Sequence, residues 1–229
     1  MAGWDGGYGG LGPAGTGGFG TRGLIREDGP MNTWTADGDY EGVEQVGLDL
    51  TDVSAPGARF IDCRLASSVI TGGDLEASTW RGGALSGVRL VGTQLARSVW
   101  HGIELENCAL SGVELFGSRW RKIVVRGGMF QGVNLRQSRL EDVVFEDCVL
   151  RDVDFGGAGL LRVRFPGCRI EQADLTAMTA RQVDLRGAQV NIARGLDRLR
   201  GVVIDHGQLM DLAPALAMQL GLEVRSAGR

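Results

Sequence analysis

From Phe60 to Leu175 every fifth residue of this chain is large and apolar, beginning Phe60, Leu65, Ile70, Leu75, Trp80 and ending Phe165, Ile170, Leu175. Ala180 is the one lapse before Leu185 and Val190 resume the series. Two residues before each of these sits a smaller group, as at Cys63, Ser68, Gly73, Ser78, Gly83 and Val88, and this second series runs on to Ala188. A period of five is neither the 3.6 of a helix nor the 2 of a strand. It demands a chain that points two side chains inward, turns a corner and starts again. The position two after each large residue is often glycine, as at Gly72, Gly82, Gly92, Gly102 and Gly112. A type II turn needs positive φ at that place and accepts proline just before it, and Pro56-Gly57 and Pro166-Gly167 fall in the same phase.

Four such corners close a square of twenty residues, and the sequence carries an echo at that spacing. Trp80, Trp100 and Trp120 are twenty apart, and Ser78, Ser98, Ser118 and Ser138 keep the same interval two residues ahead. Stacked coils therefore place a tryptophan ladder beside a serine ladder, the small serine making room for the indole at nearly constant layer volume. Cys108, Cys148 and Cys168 share another column, and all four cysteines, Cys63 included, fall in the inward series. Buried reduced thiols follow. With no Cys-x-x-Cys spacing and only two histidines, His101 and His206, no metal site is expected.

The 38 glycines are too many for an ordinary globular chain of 229 residues. Corners account for many of them, and the N-terminal tract for most of the rest. Residues 1–30 hold few branched apolar side chains and cannot bury enough surface to offset the entropy of ordering, so 1–38 is expected to be a flexible glycine-rich leader. Gly7-Tyr8-Gly9-Gly10-Leu11-Gly12 formally matches Gly-x-Gly-x-x-Gly, but no strand precedes it and no helical pattern follows, so no dinucleotide cofactor is expected. The net charge of −4 offers no polybasic surface for nucleic acid or anionic lipid. No apolar run approaches a membrane span, and Met1-Ala2-Gly3-Trp4-Asp5 lacks the start of a signal peptide, which makes a cytoplasmic setting the expectation.

Ala173-Asp174-Leu175-Thr176-Ala177, Val153-Asp154-Phe155-Gly156-Gly157, Val133-Asn134-Leu135-Arg136-Gln137 and Val183-Asp184-Leu185-Arg186-Gly187 repeat a small residue, Asp or Asn, a large residue and two variable ones. In this the chain resembles the pentapeptide-repeat proteins. The resemblance implies an all-β, right-handed quadrilateral β-helix, often dimeric and closed by a short C-terminal helical cap of the kind found in actinobacterial members. The expected organisation is a leader over 1–38, a β-helix over 39–193 and a cap with a dimerisation segment over 194–229. Phe60 to Val190 makes about six and a half coils, or a rod of about 30 Å at strand spacing. Near Val43 to Val53 the phase wavers between Leu48 and Leu50, so an irregular N-terminal coil is expected.

After Val190 the rule stops. Leu199 to Ile204 reads as a short strand, and Asp205 with Gln208 has capping-box spacing. Leu209, Leu212, Leu216 and Leu220 form one apolar helical stripe, while Met210, Pro214, Ala217 and Met218 make the other side apolar too. Such a helix is expected to plug the solenoid with one side and meet a second copy with the other, giving a homodimer. Pro214 either kinks this helix or lies in the first turn of one that starts after Asp211.

No catalytic residues are expected, because no paired carboxylates, Cys–His pair or phosphate loop occurs in a workable context. His101, directly after Trp100, reads as an outward surface residue. Two non-enzymatic readings remain. Some pentapeptide-repeat proteins imitate duplex DNA and bind gyrase, protecting it from quinolones; the matching feature here is a column of Asp74, Gln94, Glu114, Asn134, Asp154 and Asp174, twenty residues apart. Asp74, Glu114, Asp154 and Asp174 would form its acidic face, although Asp and Asn at that position also satisfy local backbone groups. Charge weakens mimicry: Arg81, Arg121 and Arg181 share one outward column, and Arg119 and Arg139 another. The preferred expectation is a protein-binding scaffold whose partner the sequence does not name.

Overall fold

The computed structural model describes residues 34–225; the glycine-rich tract before Trp34, with its Gly7–Gly12 motif, lies outside the described residues. The chain winds as a parallel β-solenoid of about 8 turns followed by a single C-terminal helix. As far as Val190 each coil takes twenty residues, because the ladders pair residues twenty apart: Phe60 with Trp80, Leu65 with Leu85, Ile70 with Leu90. Four faces result. The first is centred on residues 40, 60, 80 and so on to 180, the second on 45 to 185, the third on 50 to 190 and the fourth on 55 to 175. The first two join into one sheet through strands that bend round their shared corner, Arg119–Arg126 and Arg139–Glu146. The third face forms a separate sheet of 8 strands, and the fourth is held by isolated bridges between residues such as Asp74 and Gln94.

Corner geometry repeats without a break. From Asp37 to Gly187 every fifth residue has positive φ, whether it is glycine or a residue such as Asp62, Asn107 or Arg162. The corner that leaves the fourth face is closed by a backbone hydrogen bond, for example Ser98 N–H to Leu95 O at 3.3 Å and Ser118 N–H to Leu115 O at 3.1 Å.

The interior is a set of vertical stacks. Tyr40, Phe60, Trp80, Trp100 and Trp120 form one column, with ring centroids 5.1 Å apart for Tyr40 and Phe60, 4.0 Å for Phe60 and Trp80, 5.0 Å for Trp80 and Trp100 and 5.6 Å for Trp100 and Trp120. The serines do more than save volume. The Trp80 indole N–H donates to Ser78 Oγ at 3.0 Å, and that of Trp100 to Ser98 Oγ at 2.8 Å. The third pair differs: Trp120 tilts 34° from Trp100, and neither its N–H nor the buried Ser118 hydroxyl has a partner. Ser98→Ala orphans a buried donor and is expected to cost about 1–2 kcal/mol. Ser118→Ala removes an unsatisfied hydroxyl and should change stability by no more than about 0.5 kcal/mol. Urea unfolding of the two variants checks the difference; equal losses would refute it.

All four cysteines are buried and unpaired. Each thiol donates to a carbonyl of the coil before it, Cys108 to Leu85 O at 3.2 Å and Cys168 to Phe145 O at 3.1 Å. Burial pushes the Cys63 and Cys108 thiols above the ordinary range, and a hydrogen bond shared with Cys148 together with burial does so for Cys168.

The first coil corrects one expectation. It is regular, with strands Asp39–Glu41, Glu44–Val46 and Asp49–Thr51 in register with the coil above. Leu48 and Leu50 do not compete; they occupy the two inward positions of one repeat, and both are buried. The large Leu48 fits the smaller site because Ser68 lies over it, its Oγ accepting the Leu48 N–H at 3.1 Å. Trp34 closes this end, edge-on to Phe60 at 4.7 Å.

At the other end the ladder slips. Ile170 pairs with Val190 and Ala173 with Ile192, Asp174 is back in step with Arg194, and Val183 then pairs with Val202, one residue short of a full coil. A 3₁₀ turn, Leu196–Leu199, then stands where a first-face strand would be, and only Val202–Val203 is strand, paired with Val183–Asp184. The helix runs His206–Gln219 behind a complete capping box of Asp205 and Gln208. Gln208 is buried, and its amide donates to the carbonyls of Leu185 and Ala188, two acceptors at the open end. Pro214 lies inside the helix, which excludes a start after Asp211.

Candidate interaction surfaces

The interior is packed apart from an apolar cavity of about 30 Å³ in the C-terminal coils, lined by residues such as Phe155, Leu175 and Val202, too small for a ligand; a partner of this chain therefore meets outward side chains, and these sort by face. The acidic column sits on the fourth face. Asp74, Gln94, Glu114, Asn134, Asp154 and Asp174 follow one another through consecutive bridges. Much of their bonding capacity is used locally. Asp74 accepts from Glu76 N–H at 2.9 Å, Asp154 from Gly156 N–H at 2.7 Å and Asp174 from Thr176 N–H at 2.8 Å. These are Asx turns that start the corner. Asp154 also pairs with Arg136 at 3.2 Å and Asp174 with Arg194 at 3.5 Å, while Glu114 accepts from the Asn134 amide at 2.6 Å. Bonds from Thr176, with Arg194 nearby, hold the Asp174 carboxyl below the usual range.

The first face has the opposite sign. Arg81, His101 and Arg121 stack in one outward column, Arg119 and Arg139 in the column across the strand, and Lys122 at the corner. All six are exposed. Among the described residues none of the five Arg and Lys side chains forms an ion pair, although Glu141 follows Arg121 on the ladder, and several of the bordering acids are engaged elsewhere. Arg162 binds Glu141 at 2.7 Å and Asp142 at 2.5 Å; Arg97 binds Glu76; Arg126 lies 3.7 Å from Glu104. Asp142 is held below the usual range chiefly by its hydrogen bond to Arg162, with Arg121 and Lys122 adding to the effect.

The second face mixes signs, with Arg126 between Glu104 and Glu146. The third is nearly uncharged through its middle, where Val91 and Met129 are exposed. Phe116 and Leu161, each one residue after an inward large side chain, are half-buried. Among the described residues no group of three or more His, Cys, Asp or Glu could hold a metal ion. None of their helices is long and apolar enough to cross a membrane.

The C-terminal helix meets the solenoid through Gln208 and Leu212, with Leu216 half-buried. Leu209, Met210, Met218 and Leu220 are exposed, Met218 by 78% and Leu220 by 74%, and so are Leu222 and Val224 beyond the helix.

A four-sided coil with Asp or Asn starting its corners and two inward residues in every five is also what sequence comparison finds: the family of pentapeptide repeats matches residues 130–165 in 8 copies. The chain carries pentapeptide repeats and winds as their β-solenoid. No curated protein matches it. Among solved structures, a trypsin-treated form of QnrB1, described as a plasmid-mediated fluoroquinolone resistance protein, is 16% identical with a TM-score of 0.66. That alignment covers 84% of this chain and 98% of the other. HetL, a pentapeptide repeat protein involved in heterocyst differentiation regulation from the cyanobacterium Nostoc, is 18% identical over 73% of this chain and 92% of its own, with a TM-score of 0.37. At these identities the likeness is one of fold. This pentapeptide-repeat solenoid therefore has to be read from its own outward columns.

Proposed function

We propose that this chain is a non-enzymatic scaffold, a dimeric rod that presents its faces to a protein partner in the cytoplasm. The observation that carries the reading is the uncovered apolar set on one end, formed by Leu209, Met210, Met218, Leu220, Leu222 and Val224. A monomer has little reason to expose such a cluster beside a helix already docked by its other side. A second copy covering it would extend the rod and leave all four faces free. Unpaired, buried thiols suit a reducing compartment. Analytical ultracentrifugation should give about twice the chain mass of 24.4 kDa. Met218→Asp with Leu220→Asp should give a folded monomer, since both side chains stand clear of the solenoid. A wild-type chain that sediments as a monomer at tens of micromolar would remove the dimer.

The competing reading is a DNA mimic that engages gyrase. Its support is the stacked acidic column and the fold it shares with a fluoroquinolone resistance protein. Charge favours the scaffold. A duplex carries one charge per ~1.7 Å of axis, whereas this column is interrupted by Gln94 and Asn134 and partly neutralised by Arg136 and Arg194. A gyrase supercoiling assay separates the two: the scaffold reading expects no change at micromolar protein, with or without a quinolone, and inhibition or protection would overturn it.

A further inference from the structure

The middle of the first face carries an excess of positive charge in an otherwise acidic chain. Arg119 is paired in register with Arg139, one strand spacing of about 4.8 Å away, and Arg81 and Arg121 share the other column two coils apart. Like charges held at that distance repel. The usual relief, a neighbouring carboxylate, is only partial: Glu141 and Asp142 lie beside Arg121 and Lys122 but bind Arg162, while Glu76 binds Arg97 and Glu104 lies by Arg126. An arrangement that pairs the bordering acids elsewhere leaves the face open to an anion from outside.

Its dimensions choose among anions. From Arg81 to Arg139 the patch spans three coil steps, about 15 Å, and its two columns lie about 7 Å apart on one strand. That footprint matches about five residues of extended peptide. A DNA duplex is much wider than the strip, and its flanking phosphates would lie against the bordering carboxylates. We propose that the first face docks a short, extended, acidic segment of a partner protein, with carboxylates set between the Arg81–His101–Arg121 and Arg119–Arg139 columns.

The proposal rests on the scaffold reading and can fail separately from it. Fluorescence anisotropy of a labelled deca-glutamate peptide against the full chain is the direct test. The net charge of −4 opposes non-specific attraction, so binding at low salt reports a local site. Arg119→Glu with Arg121→Glu should weaken binding by roughly tenfold or more. Arg89→Glu, a single reversal at an exposed position of the third face, should weaken it by less than about twofold. Should the double variant misfold, protection of wild-type arginines from phenylglyoxal by the peptide reads the same contact, expected at Arg119, Arg121 and Arg139 and not at Arg89. Absence of peptide binding, an equal loss in Arg89→Glu, or tighter binding of a labelled DNA duplex than of the peptide would each overturn the site. Those outcomes leave the scaffold reading in place, whereas an effect on gyrase would remove that reading and leave the peptide result standing.

Discussion

Trp100→Ala should lower the unfolding free energy by about 3–5 kcal/mol, the largest loss expected from any single truncation on the first face. Trp100 is 2% exposed and stacked within 9° of Trp80, with Trp120 on its other side. A globular core can partly collapse around a lost indole. Here the neighbouring coils are held apart by continuous ladders on both flanks of the ring, so the cavity stays open. The indole also takes part in a nearest-neighbour stack, and solenoid stability is a sum of such interfaces. Chemical denaturation should therefore show a lower midpoint and a shallower slope, as the segments on either side begin to unfold apart. A change below about 1 kcal/mol would mean that the aromatic column is not what holds adjacent coils together.

The second large effect concerns the backbone. Gly83 occupies an inward position with φ of +81°, and a Cβ added there would lie 1.9 Å from the Cys63 carbonyl oxygen of the preceding coil. Neither atom can move without breaking the ladder, so Gly83→Ala should cost about 2–4 kcal/mol. Gly92 provides the control. It has φ of +62° and nothing within 4 Å of the same Cβ, so Gly92→Ala meets only the left-handed strain of about 1–2 kcal/mol. Thermal unfolding of both variants should rank them in that order; the reverse order would show that corner conformation, rather than the approach of stacked coils, limits substitution.

Much of the architecture was legible because the five-residue rule acts through sterics alone. Trp80, Trp100 and Trp120 pair in register as their spacing requires, and the glycine phase matches the positive-φ corners. What the sequence hid lies where stacking loses a neighbour. Leu48 looked out of phase because large residues rarely fill the smaller inward site, and only the position of Ser68 above it explains the exception. The slip beyond Ile170 and the 3₁₀ turn at Leu196–Leu199 have no periodic signal, since no further coil follows to enforce register. Gln208 reads as a capping residue, but its amide bonds to Leu185 and Ala188 depend on where the helix lands. The surface was half legible. The arginine columns are visible in the spacing, yet their lack of ion pairs depends in part on Arg162, Arg97 and Arg126 having engaged acids nearby.

The stacking of aromatic rings on one side of the coil has a further consequence. Winding on by a quarter turn, five residues too early or too late, would still send every large side chain indoors and every polar one out, so hydrophobicity alone does not decide where each lap begins. Only dissimilar columns can. Trp80 and Trp100 carry their hydroxyl acceptors with them, two residues back in the same repeat, so what fixes the lap is the stack of like rings, for which the second side offers only Leu85 and Leu105. A mis-wound lap would set an indole over a leucine and break the stack of Trp80 on Trp100. These rings thus work as index marks on a dial, and a chain with leucine at all three tryptophans would keep the bulk while losing the zero point from which the laps are counted.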